Sequence, residues 1–334
     1  MPTNTKALQV AEPAGFVAGK NKIINGDFGV WQRGTSFSNP ASNAYIADRF
    51  AIYYDGTGAT RTLSQQTFTA GTAPVTGYEG TYFFRYAQTV AGTSNTANIF
   101  YQRIEDVRTF ANQSAVLSFW AKADTTRTVT ASARQYFGSG GSADVNTSFT
   151  GSASVTTSWT RFSFTISIPS ISGKTLGTGN CLEIQLAFPA GTTPTIDIWG
   201  VQFEAGSVAT PFTTATGTIQ GELAACQRYY FRNSNSAKSY AAMGTLGYVN
   251  TTSNFELFYP LPVTMRTAPT SVDFSNLRVY DYNTSFSVSA ATLSECTPTV
   301  QQVAFTISGA TTGRNGILQA NNNTSAYLGF SAEL

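Results

Sequence analysis

Histidine, the side chain most often used as a general base, is absent from this sequence of 334 residues. Its absence excludes Ser-His-Asp and Cys-His mechanisms and histidine metal sites together. The 18 aspartate and glutamate residues leave one enzyme class open, the glycosidases, because two carboxylates are sufficient for that chemistry. No local motif selects such a pair, so the sequence favours a protein that binds without turnover.

The motifs that would hold a metal or a phosphate are incomplete. The cysteines Cys181, Cys226 and Cys296 lie far apart and form no CxxC pair, which predicts small buried thiols rather than a zinc site or a disulfide framework. The glycine-rich segment 137–144 lacks the Gly-Lys-Ser/Thr ending of a phosphate loop and is interpreted as a hairpin tip. We therefore expect no cofactor and no catalytic residue.

Aromatic residues make up 13% of the chain, and they suit one further chemistry, the binding of sugars. A pyranose ring has an apolar C–H face that packs on an aromatic ring, while its hydroxyl groups need amide and hydroxyl partners. The glycan-binding candidates in turn-rich sequence are Tyr53, Tyr54, Tyr136, Tyr280, Asp281 and Tyr282. Core packing or a subunit contact is the alternative for each of them, and Trp31, Trp120 and Trp199 are expected to fill or edge the core.

The charge content restricts the partners. Charged residues are 11% of the chain, against about 25% in an average soluble protein, and the net charge is +2. This charge gives no long-range field for nucleic acid or an acidic membrane. No run approaches the 18 apolar residues of a membrane span, and Met1–Lys20 has no signal-peptide pattern. We expect neither nucleic-acid binding nor membrane insertion.

The elements that must position these residues are strands. In FSFTISI (162–168) and CLEIQLAF (181–188), apolar and polar residues alternate, which is typical of half-buried antiparallel strands. In the segment 196–203, the apolar residues fall out of phase at Gly200, which predicts a β-bulge there. The fold class is predicted as all-β, with two antiparallel β-sandwich domains of the jelly-roll type.

One segment has helical spacing instead. Ile219, Leu223, Cys226 and Tyr230 recur at intervals of four and three residues, with Thr218 as the N-cap. This short helix is expected to join the two sandwiches. The predicted order is an N-terminal arm suited to docking onto a partner protein, a first sandwich, a helical linker and a C-terminal sandwich, at residues 1–20, 21–212, 213–234 and 235–334.

Three segments give the chain a family resemblance. They are KIINGDFGVWQRGTSF (22–37), IDIWGVQFEAGSVATPF (196–212) with ELAACQRYYF (222–231), and YPLPVTMRTAPTSV (259–272). They resemble bacteriophage virion proteins of the tail-fibre and receptor-binding kind. The resemblance implies a homotrimer that is made in the host cytoplasm, is located in the virion, and contacts other virion proteins and a host-surface glycan.

The first sandwich also resembles jelly-roll carbohydrate-binding modules, whose opening strand often reads Asn-Gly-x-Phe-Glu. Residues 25–28 match this pattern, whereas Gly29 replaces the glutamate. In those modules the glutamate and an aspartate of the closing strand hold a structural calcium ion, and Asp197 corresponds to that aspartate. The resemblance therefore implies a possible calcium site that lacks one carboxylate. The alternative is that Asp27 and Asp48 form turn hydrogen bonds or pair with Arg33 or Arg49.

These observations predict a tail fibre or tail-associated receptor-binding protein. The distal, host-contacting part is expected to be the C-terminal sandwich with its turn at 280–282, and the subunit contact is expected to include residues 219–231. The alternatives are a capsid decoration or fibre protein, or a tail adaptor, without a receptor role. A polysaccharide depolymerase and a free-standing bacterial carbohydrate-binding module remain as further alternatives.

Overall fold

The computed structural model describes residues 19–75, 78–235 and 238–334. Apart from Gly19 and Lys20, the docking arm predicted for residues 1–20 lies outside this range. Twenty-two strands and one helix make up the regular structure of the described residues. The all-β class predicted from the period-two alternation is confirmed.

Twelve strands form the first sandwich. They are β1 (Ser36–Ser38), β2 (Ala44–Tyr45), β3 (Phe50–Tyr54), β4 (Thr60–Thr67), β5 (Tyr82–Val90), β6 (Asn98–Glu105), β7 (Ser114–Ala123), β8 (Arg127–Tyr136), β9 (Val145–Val155), β10 (Thr160–Ser167), β11 (Cys181–Ala187) and β12 (Thr195–Ala205). The first sheet has the order β1-β4-β5-β12-β7-β10, and the second has the order β2-β3-β6-β11-β8-β9. One apolar core lies between the two sheets.

The core follows the alternation along each strand. Leu182, Ile184 and Leu186 face inward from β11, and the rings of Phe84 and Phe100 stack across the core with centroids 4.1 Å apart. The predicted bulge is present, because the register between β12 and β7 shifts between Trp199 and Gln202. Gly200 adopts a φ of 65° there, a value that glycine reaches without steric cost.

The opening segment 22–37 is less regular than the predicted strand, since its sole strand is β1. Asn25 and Phe28 have φ values of 62° and 57°, which an extended strand does not tolerate. The segment nevertheless lies beside β12, because the Lys22 amide donates to the Phe203 carbonyl (2.8 Å) and the Val201 amide donates to the Gly26 carbonyl (2.9 Å). The pairing of the opening and closing segments is thus made by isolated hydrogen bonds.

The helix α1 (Ile219–Gln227) begins as predicted, with the Thr218 hydroxyl accepting the Gly221 amide at 3.0 Å. Its buried face differs from the predicted stripe: Ile219 and Leu223 are 69% and 38% exposed, whereas Glu222 and Cys226 are buried. Glu222 faces inward because its carboxylate accepts hydrogen bonds from the backbone amides of Asn25 and Thr216, each at 2.7 Å.

The predicted helical stripe was also wrong at its end, because Tyr230 is the first residue of strand β13 (Tyr230–Ser234). Tyr229 and Tyr230 are buried in this chain, where the guanidinium groups of Arg49 and Arg33 lie 3.4 Å and 3.5 Å from their respective ring centroids. These two tyrosines are therefore unavailable to a neighbouring subunit. The homotrimer stays a prediction.

The C-terminal sandwich contains β13 and nine further strands. They are β14 (Ala242–Thr251), β15 (Asn254–Pro260), β16 (Ser271–Ser275), β17 (Leu277–Tyr280), β18 (Ser285–Ser287), β19 (Ala290–Leu293), β20 (Val300–Thr306), β21 (Asn315–Ala320) and β22 (Tyr327–Ser331). One sheet has the order β13-β22-β16, and the other has the order β18-β17-β21-β14-β15-β20-β19. Two residues separate β18 from β19, so the chain passes between opposite edges of the larger sheet in a short step, which requires the sheet to curl.

The end of the chain binds the first sandwich. Glu333 forms ion pairs with Arg49 and, at 3.2 Å, with Arg33. The main-chain oxygen of Leu334 accepts hydrogen bonds from the Tyr45 hydroxyl (3.0 Å) and from Arg103 Nη1 (2.5 Å). Ion pairs and hydrogen bonds therefore hold the two sandwiches together, in addition to the peptide connection at α1.

Cys181 and Cys226 are buried thiols, as predicted, and Cys296 is partly exposed; all three are free. Within the described ranges, no helix is both long and apolar enough to cross a membrane.

The Arg49–Glu333 pair gives a prediction of stability. The side chains of Arg49 and Glu333 are 1% and 7% exposed, so Glu333→Gln leaves a buried guanidinium without its counter-charge. We expect the free energy of unfolding to fall by about 3 kcal/mol, measured by chemical denaturation. The control Arg108→Gln removes an exposed pair with Asp106 and should cost less than about 1 kcal/mol. Equal effects of the two substitutions would contradict the role given to Glu333.

Candidate functional site

The outer face of the second sheet carries an open cleft with a volume of about 350 Å³. We call it the outer-face cleft. It is lined by Asn43, Tyr53, Ile99, Tyr101, Arg103, Arg134, Asp144, Asn146, Glu183 and Gln185. Polar side chains predominate in this lining, and they come from neighbouring strands and from the loops beside them.

Strand register brings these side chains together. Tyr53 on β3 lies opposite Ile99 on β6, and Tyr101 on β6 lies opposite Gln185 on β11. Glu183 on β11 lies between Arg103 of β6 and Arg134 of β8. Since alternate residues of a strand share a face, the same register that points Leu182 and Ile184 into the core places Glu183 and Gln185 in the cleft.

The floor of the cleft is a chain of alternating charges. Glu183 accepts Arg103 Nε at 2.9 Å, and its other oxygen lies 4.0 Å from Arg134 Nη1. Asp144 accepts Arg134 Nε at 2.9 Å, and Gln185 Nε2 donates to Glu183 at 2.6 Å. Two guanidinium groups thus face two carboxylates, so the cleft is close to electrically neutral but rich in fixed hydrogen-bonding groups.

Tyr53 is the exposed aromatic residue of this cleft, with 39% of its surface accessible. The adjacent Tyr54 points the other way and packs against the core, with its hydroxyl donating to the Pro40 carbonyl. Tyr136 shares the face of Arg134, whose guanidinium lies 5.3 Å from the Tyr136 ring centroid, but it is outside the cleft lining. Of the three predicted tyrosines in this sandwich, the structure thus brings one into the cleft.

The turn at 280–282 is built differently from the sequence interpretation. The Asp281 carboxylate is buried and accepts the amides of Asn283 (3.0 Å) and Thr284 (2.7 Å), and it pairs with Arg314 at 3.1 Å. Both carboxylate oxygens of Asp281 are thus engaged in holding the turn in shape, so its role is structural. Tyr280 and Tyr282 flank Asp281 in the chain, and their ring centroids lie 5.6 Å apart.

The outer face of the first sheet is closed by the chain itself. Phe68, Phe83, Trp120, Trp199 and Phe212 form a separate aromatic cluster there. Trp199 is fully buried, and Gly80 lies so close that a methyl group at its Cβ position would stand 2.8 Å from the indole nitrogen. The aromatic residues of this face are therefore structural, as predicted for Trp120 and Trp199.

A groove of about 350 Å³ beside that cluster is lined by Asp27, Tyr78, Tyr82 and Ile219, among others, and it continues into a smaller cavity that includes Glu222. Burial raises the pKa of Asp27, and the charge of Glu222 raises it further. Burial also raises the pKa of Tyr78, and the charges of Asp27 and Glu222 raise it further.

The calcium site implied by the resemblance finds little support in this arrangement. Asp197 is buried, and its oxygens are bound by Arg85 (2.7 and 2.8 Å) and lie 3.5 Å from Lys122. A carboxylate neutralised by two cations is a poor ligand for a third. In the described part of the chain, no group of three or more cysteine, aspartate or glutamate residues is placed to hold a metal ion.

Sequence reasoning missed Arg103, Arg134, Glu183 and Gln185. The available signal was the presence of charged residues on the polar face of strands whose other face is apolar. That signal was present in CLEIQLAF, but it could not show that three separate strands align their charges in one row.

Comparisons with known proteins leave the family open. Neither a protein-family model nor a curated protein matches the chain. Solved structures with a similar arrangement include the enzymatically active domain of tailspike protein 4 of bacteriophage CBA120, at 17% identity and a TM-score of 0.35, where the match covers 58% of this chain and 24% of that one.

Carbohydrate-binding modules are also among the similar structures. The family 11 module of Clostridium thermocellum in complex with a β-1,3-1,4-mixed-linked tetrasaccharide is 13% identical, with 53% of this chain and 98% of that chain covered and a TM-score of 0.32. A xylan-binding domain from Paenibacillus barcinonensis is 11% identical, with 58% and 100% covered and a TM-score of 0.32. Likenesses of this size decide neither the ligand nor the role of this chain.

The pKa shifts of two aspartates predict opposite pH effects. Asp27, whose pKa is raised, contributes stability below its unfolded pKa of about 3.9 and loses it as the pH rises. Asp55 accepts hydrogen bonds from Thr96 and Ala97, which lower its pKa to about 2; its contribution is present above about pH 4 and is lost as the pH falls towards 2. We therefore expect Asp27→Asn to raise the melting temperature at pH 7 and Asp55→Asn to lower it.

Thermal unfolding at pH 7 and pH 3 measures both effects. The gain from Asp27→Asn should vanish at pH 3, where the native carboxyl group is protonated, and the loss from Asp55→Asn should shrink. A lower melting temperature of Asp27→Asn at pH 7 would contradict the inference that burial of the Asp27 charge destabilises the protein.

Proposed function

We propose that this chain is a saccharide-binding attachment protein of a bacteriophage virion, and that its outer-face cleft holds a glycan of the host surface. The observation that carries the proposal is the combination, in one cleft, of an exposed Tyr53 ring with a neutral and internally paired polar floor. An aromatic face packs against the C–H face of a sugar, and fixed polar groups bind its hydroxyls.

The ion pairs in the floor favour a sugar over other ligands of similar size. Glu183 and Arg134 hold each other and their neighbours in place before a ligand arrives, so little side-chain entropy is lost on binding. Because the two cations are balanced by two carboxylates, the cleft has no excess charge to attract a polyanion such as nucleic acid. Carboxylate acceptors, guanidinium donors and the amides of Gln185, Asn146 and Asn43 are complementary to the hydroxyl groups of a neutral saccharide.

The role in a virion is supported by the sequence segments that resemble tail-fibre and receptor-binding proteins. A single open cleft of this kind binds weakly, and several copies on one particle multiply the effect through effective concentration. Trimeric assembly and contacts with other virion proteins belong to the proposal on the same ground. A decoration protein or tail adaptor would share the fold but have no use for the cleft.

A polysaccharide depolymerase is the second candidate function, and one observation favours it. Asp27 and Glu222 line the same cavity, and the pKa of Asp27 is raised while Glu222 is held by two backbone amides. An acid of raised pKa next to a second carboxylate is the pairing that glycosidases use. Glu222, however, already has a structural function, because it fixes α1 to the opening segment of the first sandwich.

The cleft assignment predicts the effect of Tyr53→Ala. Loss of the exposed ring should weaken binding by at least about tenfold, equivalent to ~1.4 kcal/mol, as measured by titration calorimetry on the best neutral ligand of an oligosaccharide array. The matched control is Tyr248→Ala, since Tyr248 is exposed to a similar extent (41%) but lies in the C-terminal sandwich. Unchanged binding by the Tyr53 variant would refute the cleft as the glycan site.

The absence of turnover is a separate prediction. Incubation of the purified chain with host capsule or lipopolysaccharide should release no new reducing ends. Asp27→Asn serves as the matched variant, because it removes the acid but keeps the shape of the side chain. Release by the native chain that this substitution abolishes would establish the depolymerase and displace the binding-only function.

A further inference from the structure

We propose a second binding site, on the C-terminal sandwich, for a sugar that carries a carboxylate or phosphate group. The site consists of Arg278 with Tyr240, Tyr280 and Tyr282, and we call it the Arg278 patch. It includes none of the residues of the outer-face cleft, so it can be tested independently of the function proposed above.

The first observation is a guanidinium group without a counter-charge. Arg278 lies on β17 opposite Gln319 of β21, and its Nη2 donates to the neutral Gln319 side chain at 2.8 Å. No carboxylate among the described residues forms an ion pair with it, whereas the nearby Arg314 is neutralised by Asp281. Nε of Arg278 is buried and also has no hydrogen-bond partner among the described residues.

The second observation is the set of rings around this charge. The Arg278 guanidinium lies 4.1 Å from the ring centroid of Tyr240 and 5.5 Å from that of Tyr280. Tyr240 is 49% exposed and Tyr282 is 61% exposed. The negative face of an aromatic ring attracts a guanidinium group, so the tyrosines help to hold the Arg278 cation in place. The patch therefore offers aromatic faces and one fixed positive charge to the same ligand.

The third observation is the backbone at Tyr282, which has a φ of 65°. This left-handed conformation is costly for a bulky residue. The turn is held against that cost by the buried Asp281 carboxylate. It accepts the backbone amides of Asn283 and Thr284 and pairs with Arg314. Much local structure is thus used to present one tyrosine ring to solvent beside another.

These features select the chemical class of the ligand. A nucleic acid or other polyanion needs several cations in a row, and the patch has one. A neutral sugar would use the rings but leave the guanidinium unpaired. A sugar with one anionic group uses both, because its C–H face packs on the tyrosines while its carboxylate or phosphate accepts charge-assisted hydrogen bonds from Arg278. Asn283 and Thr284, which are exposed in the turn after Tyr282, carry an amide and a hydroxyl group that suit the remaining sugar hydroxyls.

Two matched pairs of probes test this proposal with the full chain. Oligogalacturonide is compared with its methyl ester, and mannose 6-phosphate is compared with mannose, so that the two sources of negative charge are distinguished. We expect the native chain to bind at least one anionic probe about tenfold more tightly than its neutral counterpart. We also expect this preference to weaken as salt rises from about 0.01 M to 0.15 M, because the charges are near the surface.

Arg278→Gln should remove the preference for the anionic probe, and Arg278→Lys should retain part of it. The matched control Arg108→Gln removes an exposed guanidinium that lies in neither site, and it should leave anionic binding unchanged. If Arg278→Gln unfolds the chain, Tyr282→Ala replaces it, since that ring is exposed and its loss should weaken binding of both members of a pair. Equal affinity for anionic and neutral probes, or full anionic binding by a folded Arg278→Gln variant, would overturn the proposal.

Discussion

The buried ion pair between Arg49 and Glu333 is the interaction on which the arrangement of this molecule depends. Arg49 follows directly on the buried Asp48 and has a φ of 72°. Its guanidinium also donates to the Arg103 carbonyl at 2.6 Å and lies against the Tyr229 ring. One side chain thus contacts the floor strand of the cleft, the junction after α1 and the last residues of the C-terminal sandwich. Because a buried charge is tolerated only when paired, Arg49 depends on Glu333 at the end of the chain for its counter-charge.

The sandwich architecture also decides where a ligand can bind. Each six-stranded sheet has one face in the core, and the other face must be covered or carry polar groups. The first sheet covers its outer face with a cluster of aromatic side chains around Trp199. The second sheet leaves its outer face open and fills it with paired charges around Glu183. The cleft is therefore a property of the one sheet face in this sandwich that the chain leaves uncovered.

The sequence was sufficient for features that depend on near neighbours. Alternation in β10 and β11, the bulge at Gly200 and the cap at Thr218 all follow from the local chemistry of a few residues. It was insufficient for features that join distant positions, such as the ion pair between Arg49 and Glu333. It also could not decide between Tyr53 and Tyr54, because a period of two shows that adjacent residues face opposite ways but not which face is open. The inward turn of Glu222 was missed for a related reason, since its partners Asn25 and Thr216 are backbone amides that no sequence pattern marks.

The position of β22 has a mechanical consequence. This strand lies between β13 and β16, and Glu333 and Leu334, which follow it after Ala332, are fastened to the first sandwich. β13, on one side of it, continues directly from the helix that leaves the first sandwich. A tensile load applied to the C-terminal sandwich is therefore shared between two routes that run side by side, one covalent and one through the Glu333 and Leu334 contacts. Bending at the junction would have to break the Glu333 and Leu334 contacts. The two sandwiches should therefore resist drag or tension as one rigid unit.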